Sequence, residues 1–213
     1  MARAVAPAVS LVIALWGCSP RNAQDVAPVP VTGATVAGDT SGLVPPGYGL
    51  LRQDDVALRL QQLGMTVRLI PLDESVLRVL SSDSYRTLRD LRESRRDAVA
   101  NIARRASQRA PSLWYVSFHN QEQGEARFSP TSIVITNVGR DFRPLDVVAL
   151  TAGFGAQRLA QRESQSAILV FDETLDVKQP LVVTYEGAVN SEWNDRLQRI
   201  ERERALIRSR LSR

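Results

Sequence analysis

From Leu50 onward the chain switches between two spacings of its apolar residues, every second position and every third or fourth. The first stretch predicts a short strand pair. Val56–Leu60 forms one strand and Met65–Ile70 the other, with Gly64 helping the turn. In the second strand Met65, Val67 and Leu69 share one face, and Thr66, Arg68 and Ile70 share the other. Pro71 stops that strand, and Asp73 caps a short helix running to Leu80. Ser82 or Asp83 then starts a longer helix over about 83–109, and Pro111 ends it. The apolar stripe of that helix is Leu88, Leu91, Val99, Ile102 and Ala106. Arg86, Arg89, Arg92, Arg95, Arg96, Arg104 and Arg105 surround it, with Asp90, Glu93 and Asp97 at helical spacing, as on a solvated face.

The next stretch reads as strand after strand. Leu113–His119, Ser132–Val138, Pro144–Thr151, Ser166–Phe171 and Leu181–Glu186 are rich in β-branched or aromatic residues and bounded by Gly, Asp, Asn or Pro. Trp114, Val116 and Phe118 share one face of the first strand; Leu181, Val183 and Tyr185 share one face of the last. This spacing of strands resembles an immunoglobulin-like domain in pattern. The resemblance implies an antiparallel β-sandwich over about 113–187, in an α+β or mainly β fold. Ile133–Ile135 and Ile168–Phe171 are apolar on both faces, so each is either central in a sandwich or covered by flanking helices. A C-terminal helix follows over about 191–211, capped by Asn190 or Ser191. Its residues Trp193, Leu197, Ile200, Ile207 and Leu211 approach a heptad seam, with Arg204 in the skipped position. Docking onto the domain's own sheet or central helix is the expectation; self-association through this helix is the other reading.

The front of the chain follows neither period. Arg3 precedes an apolar run from Ala4 to Trp16, interrupted by Pro7 and Ser10. A membrane-crossing helix needs about 20 apolar residues, so this run suits a signal-peptide core. It ends in Leu15-Trp16-Gly17-Cys18-Ser19. That string resembles the lipobox of bacterial lipoprotein precursors: leucine, a small residue, glycine or alanine, then cysteine. Leu15, Gly17 and Cys18 match; Trp16 stands where a small residue is usual. The resemblance implies cleavage before Cys18 and lipid on its thiol. Ser19, where an aspartate would imply retention at the inner membrane, implies the outer membrane, facing the periplasm. From Pro20 to Gly49, five prolines and five glycines break any sustained period, which predicts a disordered tether.

Composition changes this picture little. Hydrophobic residues make up 44% and charged residues 23% of the 213, ordinary for a folded protein. Basic residues number 27 and acidic 23; loss of Arg3 with the signal leaves 26 minus 23, a charge of +3. Lys178 is the single lysine. Bases alternate with acids and lack interleaved aromatics, which argues against a nucleic-acid partner. Cys18 is the only cysteine, so no internal disulfide forms.

Candidate chemistry is sparse. His119 is the only histidine, too few for a zinc site in a chain with one cysteine. A triad with Ser117, Ser129 or Ser132 would need a nucleophile-bearing turn, and no G-x-S-x-G is present. Asp172-Glu173-Thr174-Leu175-Asp176 offers oxygen ligands but lacks the glycine and distal glutamate of a calcium loop. Gly153-Phe154-Gly155 lacks the Lys-Ser/Thr of a phosphate loop, so it reads as a turn with Phe154 plugging the core. Asp54-Asp55 and Asp73-Glu74 sit where helix capping accounts for them.

The expected organisation is a signal peptide at 1–17, a lipid anchor and tether at 18–49, a strand pair with helices at 50–111, a β-sandwich at 112–188 and a helix at 189–213. Segments 50–213 also fit one compact unit. The expected function is a non-enzymatic envelope lipoprotein, a binding or structural module in the periplasm or at the cell surface, with no cofactor and no metal, attached to the membrane through Cys18 and binding a protein or glycan partner of the envelope. A cell-envelope enzyme or small-ligand carrier is the alternative.

Overall fold

The computed structural model describes residues 42–213. The expected signal peptide, Cys18 and most of the tether lie outside the described residues. Thr40–Arg213 forms one unit, of α+β class. Its helices are α1 (Gln53–Val56), α2 (Glu74–Leu77), α3 (Ser82–Ser94), α4 (Arg96–Arg105) and α5 (Trp193–Leu211). Its longer strands are β1 (Leu58–Gln62), β2 (Met65–Pro71), β3 (Ser112–Asn120), β5 (Ile133–Asn137), β7 (Asp146–Ala149), β9 (Ser164–Phe171) and β10 (Leu181–Tyr185). Between them lie the short strands β4 (Ala126–Arg127), β6 (Arg140–Phe142), β8 (Arg158–Leu159) and β11 (Ala188–Asn190).

One sheet has the order β1-β2-β3-β9-β7, a second β11-β10-β5-β6, and β4 pairs with β8 in a small ribbon. All these pairings are antiparallel. The 50–111 and 112–188 segments therefore share a sheet, because β2 hydrogen-bonds along the whole of β3, from Met65 opposite Asn120 to Pro71 opposite Trp114. Alternation places Trp114, Val116 and Phe118 on the inner face of β3, all fully buried. Across from them lie Ile133, Ile135, Val183 and Tyr185 of the second sheet, also fully buried. The Phe118 and Tyr185 rings approach to 5.8 Å between centroids and join the two layers. Phe128 stacks on Phe118 at 4.5 Å, and Phe154 meets Phe128 edge-on at 5.1 Å. Phe154 thus plugs the core from its glycine-flanked turn, as its sequence setting suggests.

The hairpins explain four-residue detail that periodicity misses. Leu63-Gly64, Val138-Gly139 and Glu186-Gly187 each join two strands with no further loop residue. The first residue of each pair has positive φ, at 44°, 50° and 46°, and glycine follows, the requirement of a twist-matched two-residue turn. Val138 and Glu186 do not end their sheets, as the sequence suggests; the chain turns back there to add β6 and β11.

Three further expectations are corrected. The helix over 83–109 is two helices, broken at Arg95 with φ −116° and ψ 11°. Ser94 Oγ donates to the Leu91 carbonyl at 2.7 Å, competing with the helical ladder at that point. Leu88 of α3 and Ile102 of α4 are both buried, one on each side of the break. Val56 belongs to α1 instead of a strand. The tether expected to run to Gly49 gives way to packed chain: Val44 is 2% exposed in the core. A Cβ on Gly49 would lie 2.0 Å from the Val79 carbonyl oxygen, so only glycine passes there.

The C-terminal helix α5 docks on its own domain, against α1 and β10. Trp193 is fully buried, lies 6.0 Å from Trp114 and donates Nε1–H to the Val177 carbonyl at 2.9 Å. Ile200 and Ile207 are buried farther along the helix, and Arg204 in the skipped position donates to the Ser75 carbonyl at 2.8 Å. Glu192, one residue later than anticipated, holds the cap position, while Asn190 Oδ1 accepts from the Glu192 N–H. No helix among the described residues is long and apolar enough to cross a membrane.

Candidate functional site on the outer sheet face

The outer face of the five-stranded sheet is divided. Ile70, Tyr115, Ile168 and Val148 form one row across it. Helices α3 and α4 cover this apolar end, with Leu88, Ile102 and Ala103 buried. The next two rows are polar and lie beyond the helices: Arg68, Ser117 and Ser166, then Thr66, His119 and Ser164. These positions alternate with the buried inner residues, so the pleat itself aims them outward.

His119 Nδ1 lies 2.8 Å from Ser164 Oγ in a hydrogen bond whose donor depends on the tautomer. None of Ser117, Ser129 and Ser132 is hydrogen-bonded to the His119 ring. Ser164 is the residue the sequence missed, because the strand appeared to begin at Ser166. With β9 starting at Ser164, the β3–β9 register sets it opposite His119. The neighbouring carboxylate does not complete a triad. Glu163 accepts from the Ala160 N–H and from Gln165 Nε2, both at 2.7 Å, and these bonds hold its pKa below the usual carboxylate value. Ser164 also stands on a strand instead of a strand-to-helix turn. The pair is a polar contact on an open surface.

Beside it, Asp54 bridges Arg59 at 2.9 Å and Arg68 at 3.0 Å. Thr66 Oγ1 and Arg68 Nε are enclosed without a protein partner. The face therefore carries hydroxyl, imidazole and guanidinium groups, and the His119–Ser164 hydrogen bond among them is exposed.

The other carboxylates have structural partners. Asp73 Oδ1 accepts from the Ser75 N–H at 2.8 Å and caps α2. Asp55 accepts from the Arg52 N–H and bridges Arg199 of α5 at 2.7 Å. Glu74 holds Arg78 and Arg92, each at 2.8 Å. Burial alone would raise the Glu74 pKa; the Arg78 hydrogen bond and the charges of Arg92 and Arg78 outweigh it and bring it below 4.5. In the acidic loop, Asp172 Oδ1 accepts from the Thr174 hydroxyl and N–H. These bonds lower its pKa. Glu173 Oε2 accepts from the N–H groups of Arg109 and Ala110 at 2.7 and 3.1 Å. The loop thus ties the end of the α4 segment to β9. Among the described residues no three His, Cys, Asp or Glu side chains gather as a metal site. Burial pushes the Tyr185 phenol up to about 12, although its oxygen accepts from the Ser129 N–H at 3.2 Å.

Two grooves flank α4. The larger, about 690 Å³ and open to solvent, lies between α4 and β7 and is spanned by the Arg105–Asp146 ion pair at 2.9 Å. The smaller, about 230 Å³, has Val99, Ala103, Pro111 and Leu113 as its floor and Arg92, Arg96 and Arg109 at its rim. No protein-family model matches the chain. Neither a curated protein nor a solved structure matches it significantly.

Proposed function

We propose that this chain is a bacterial envelope lipoprotein, held to the membrane by lipid on Cys18, whose folded domain is a non-enzymatic binding or structural module. The observation that carries the reading is Leu15-Trp16-Gly17-Cys18, which sets the only cysteine at the end of a signal-like apolar run. Two or more acyl chains hold firmly, since each buried methylene contributes about 0.8 kcal/mol. Ser19 supports the outer membrane, with the domain in the periplasm. The domain's interior is filled by Trp114, Phe118, Phe171, Tyr185 and Trp193, all fully buried, which favours recognition at a surface. The polar rows around His119 suit a protein or glycan of the envelope.

The immunoglobulin-like reading of the sheets is part of this proposal. Two facing antiparallel sheets and a buried tryptophan support it. Trp114 packs on Trp193 of α5 and no disulfide is present among the described residues, so the likeness is one of layering.

A Cys18→Ser chain tests the anchor. The expected result is loss of the protein from the membrane fraction and of acyl mass from its N-terminal peptide. Unchanged partition would overturn the anchor. The His119–Ser164 bond favours one second reading, a cell-envelope hydrolase or small-ligand carrier. Turnover of a cell-wall or lipid substrate that disappears in Ser164→Ala would establish that reading in place of the binding module.

A further inference from the structure

Most large apolar side chains of this domain are buried, and three of the exceptions meet at one place. Tyr48 is 51% exposed, Leu50 67% and Leu206 50%. Leu206 lies one turn beyond Glu203 and one turn before Arg210 on α5. Glu203 Oε1 accepts from the Leu50 N–H at 3.2 Å, and Arg210 Nη1 donates to the Tyr48 carbonyl at 3.3 Å. Those two contacts bring Tyr48, Leu50 and Leu206 to the same flank of the helix.

The end of α5 carries a net positive charge, although Arg199 and Arg204 are paired with Asp55 and Glu201. Residues 199–213 carry six arginines, Arg199, Arg202, Arg204, Arg208, Arg210 and Arg213, against Glu201 and Glu203, a side-chain excess of four. Glu203 is nearly buried and faces Arg210. Arg202, on the same flank as Leu206, forms no ion pair with an acid among the described residues; its Nε reaches only the Gln198 carbonyl, at 3.3 Å.

This end of the domain is also where the upstream chain enters. Arg208 Nη2 donates to the Gly42 carbonyl at 2.5 Å, and Val44 lies buried close by. Twenty-three residues lie between Cys18 and Gly42, a reach of no more than about 80 Å even fully extended. Any face close to the entry point of an anchored chain meets the bilayer at high effective concentration, so weak contacts suffice to engage it.

We propose that the flank formed by Tyr48, Leu50, Leu206, Arg202 and Arg210 lies against an anionic phospholipid surface. The apolar side chains enter the headgroup boundary and the guanidinium groups meet phosphate, as on an interfacial amphipathic helix. The inference takes its setting from the lipid-anchor reading, since Cys18 is what brings this flank to a bilayer.

The test separates the two. A full-length Cys18→Ser chain carries Leu206→Cys labelled with an environment-sensitive fluorophore; a control carries the label at Leu63→Cys, on the distant hairpin tip. Each is mixed with vesicles of phosphatidylglycerol and phosphatidylcholine, or of phosphatidylcholine alone. The expected result is a blue shift at 206 on the anionic vesicles only, abolished by high salt. Loss of Arg202 in Arg202→Gln weakens the affinity about fivefold. No shift at 206, or an equal shift at 63, overturns the proposal. A blue shift without vesicles also overturns it: one that grows with protein concentration marks a second copy on this flank, and one that does not marks the chain's own N-terminal segment. Acylation at Cys18, read separately by mass, decides the anchor whatever the vesicles show.

Discussion

Strand β3 has two faces built by the same alternation, and they have opposite fates. On the inner face Trp114, Val116 and Phe118 are fully buried between the sheets. On the outer face Tyr115, Ser117 and His119 are each half-buried. The backbone ladder is the same for both, with β2 on one side and β9 on the other. The difference lies in what stacks on each face. Folding free energy concentrates on the inner face, where large apolar area leaves water. The outer polar rows bury less apolar area than the inner residues do.

Substitutions should separate the two faces by magnitude. Trp114→Ala should destabilise most, by about 4 kcal/mol, because it removes a fully buried indole between β9 and α5; a denaturant midpoint close to the parent's would show that the inner face does not carry the fold. Trp193→Ala should lose about 3 kcal/mol by the same measurement. An equally stable Trp193→Ala that loses an oligomer would mean that α5 serves a partner instead of its own core. Glu74→Gln should follow at about 2 kcal/mol near neutral pH, since two charge-assisted hydrogen bonds go.

That third effect carries a pH signature. The folded Glu74 pKa lies below its ordinary 4.5. Its contribution is therefore complete above the unfolded-state value and fades as pH falls through the lowered folded value. Parent and Glu74→Gln stabilities should converge in strong acid; a gap that persists there would assign the effect to packing. Smallest of all, His119→Ala and Ser164→Ala should each change stability by less than about 0.5 kcal/mol, while altering capture of an envelope partner. A large loss of stability from either would place the polar rows in the fold's framework and remove them as a recognition surface.

Much of this architecture was legible locally. Seven of the strands lie within a few residues of where the sequence puts them, because most carry a period of two and the rest are short apolar runs rich in β-branched residues. The Asp73 cap was readable from its setting before α2, and Phe154 from its glycine flanks. The two-residue hairpins were not. Val138-Gly139 and Glu186-Gly187 lack the asparagine or aspartate that usually announces positive φ, so β6 and β11 stayed hidden. Ser164 stayed hidden with them, because pairing across strands needs a register and one chain position does not supply it.

The amino-acid sequence alone determined much of the local repertoire of this protein: where most of its longer strands and helices lie, that Pro71 ends β2, and that Cys18 has no second cysteine in the chain for a disulfide. These depend on spacings of a few residues and on composition. Tertiary structure decided which sheet β1 and β2 join, that α5 seats Trp193 on Trp114, that the helix breaks at Arg95, and that Gly42–Leu50 runs along α5 with Val44 in the core. Each of those outcomes sums contacts between residues far apart in the chain. Gly49 against the Val79 carbonyl and Glu203 on the Leu50 N–H exist only after that sum favours one arrangement.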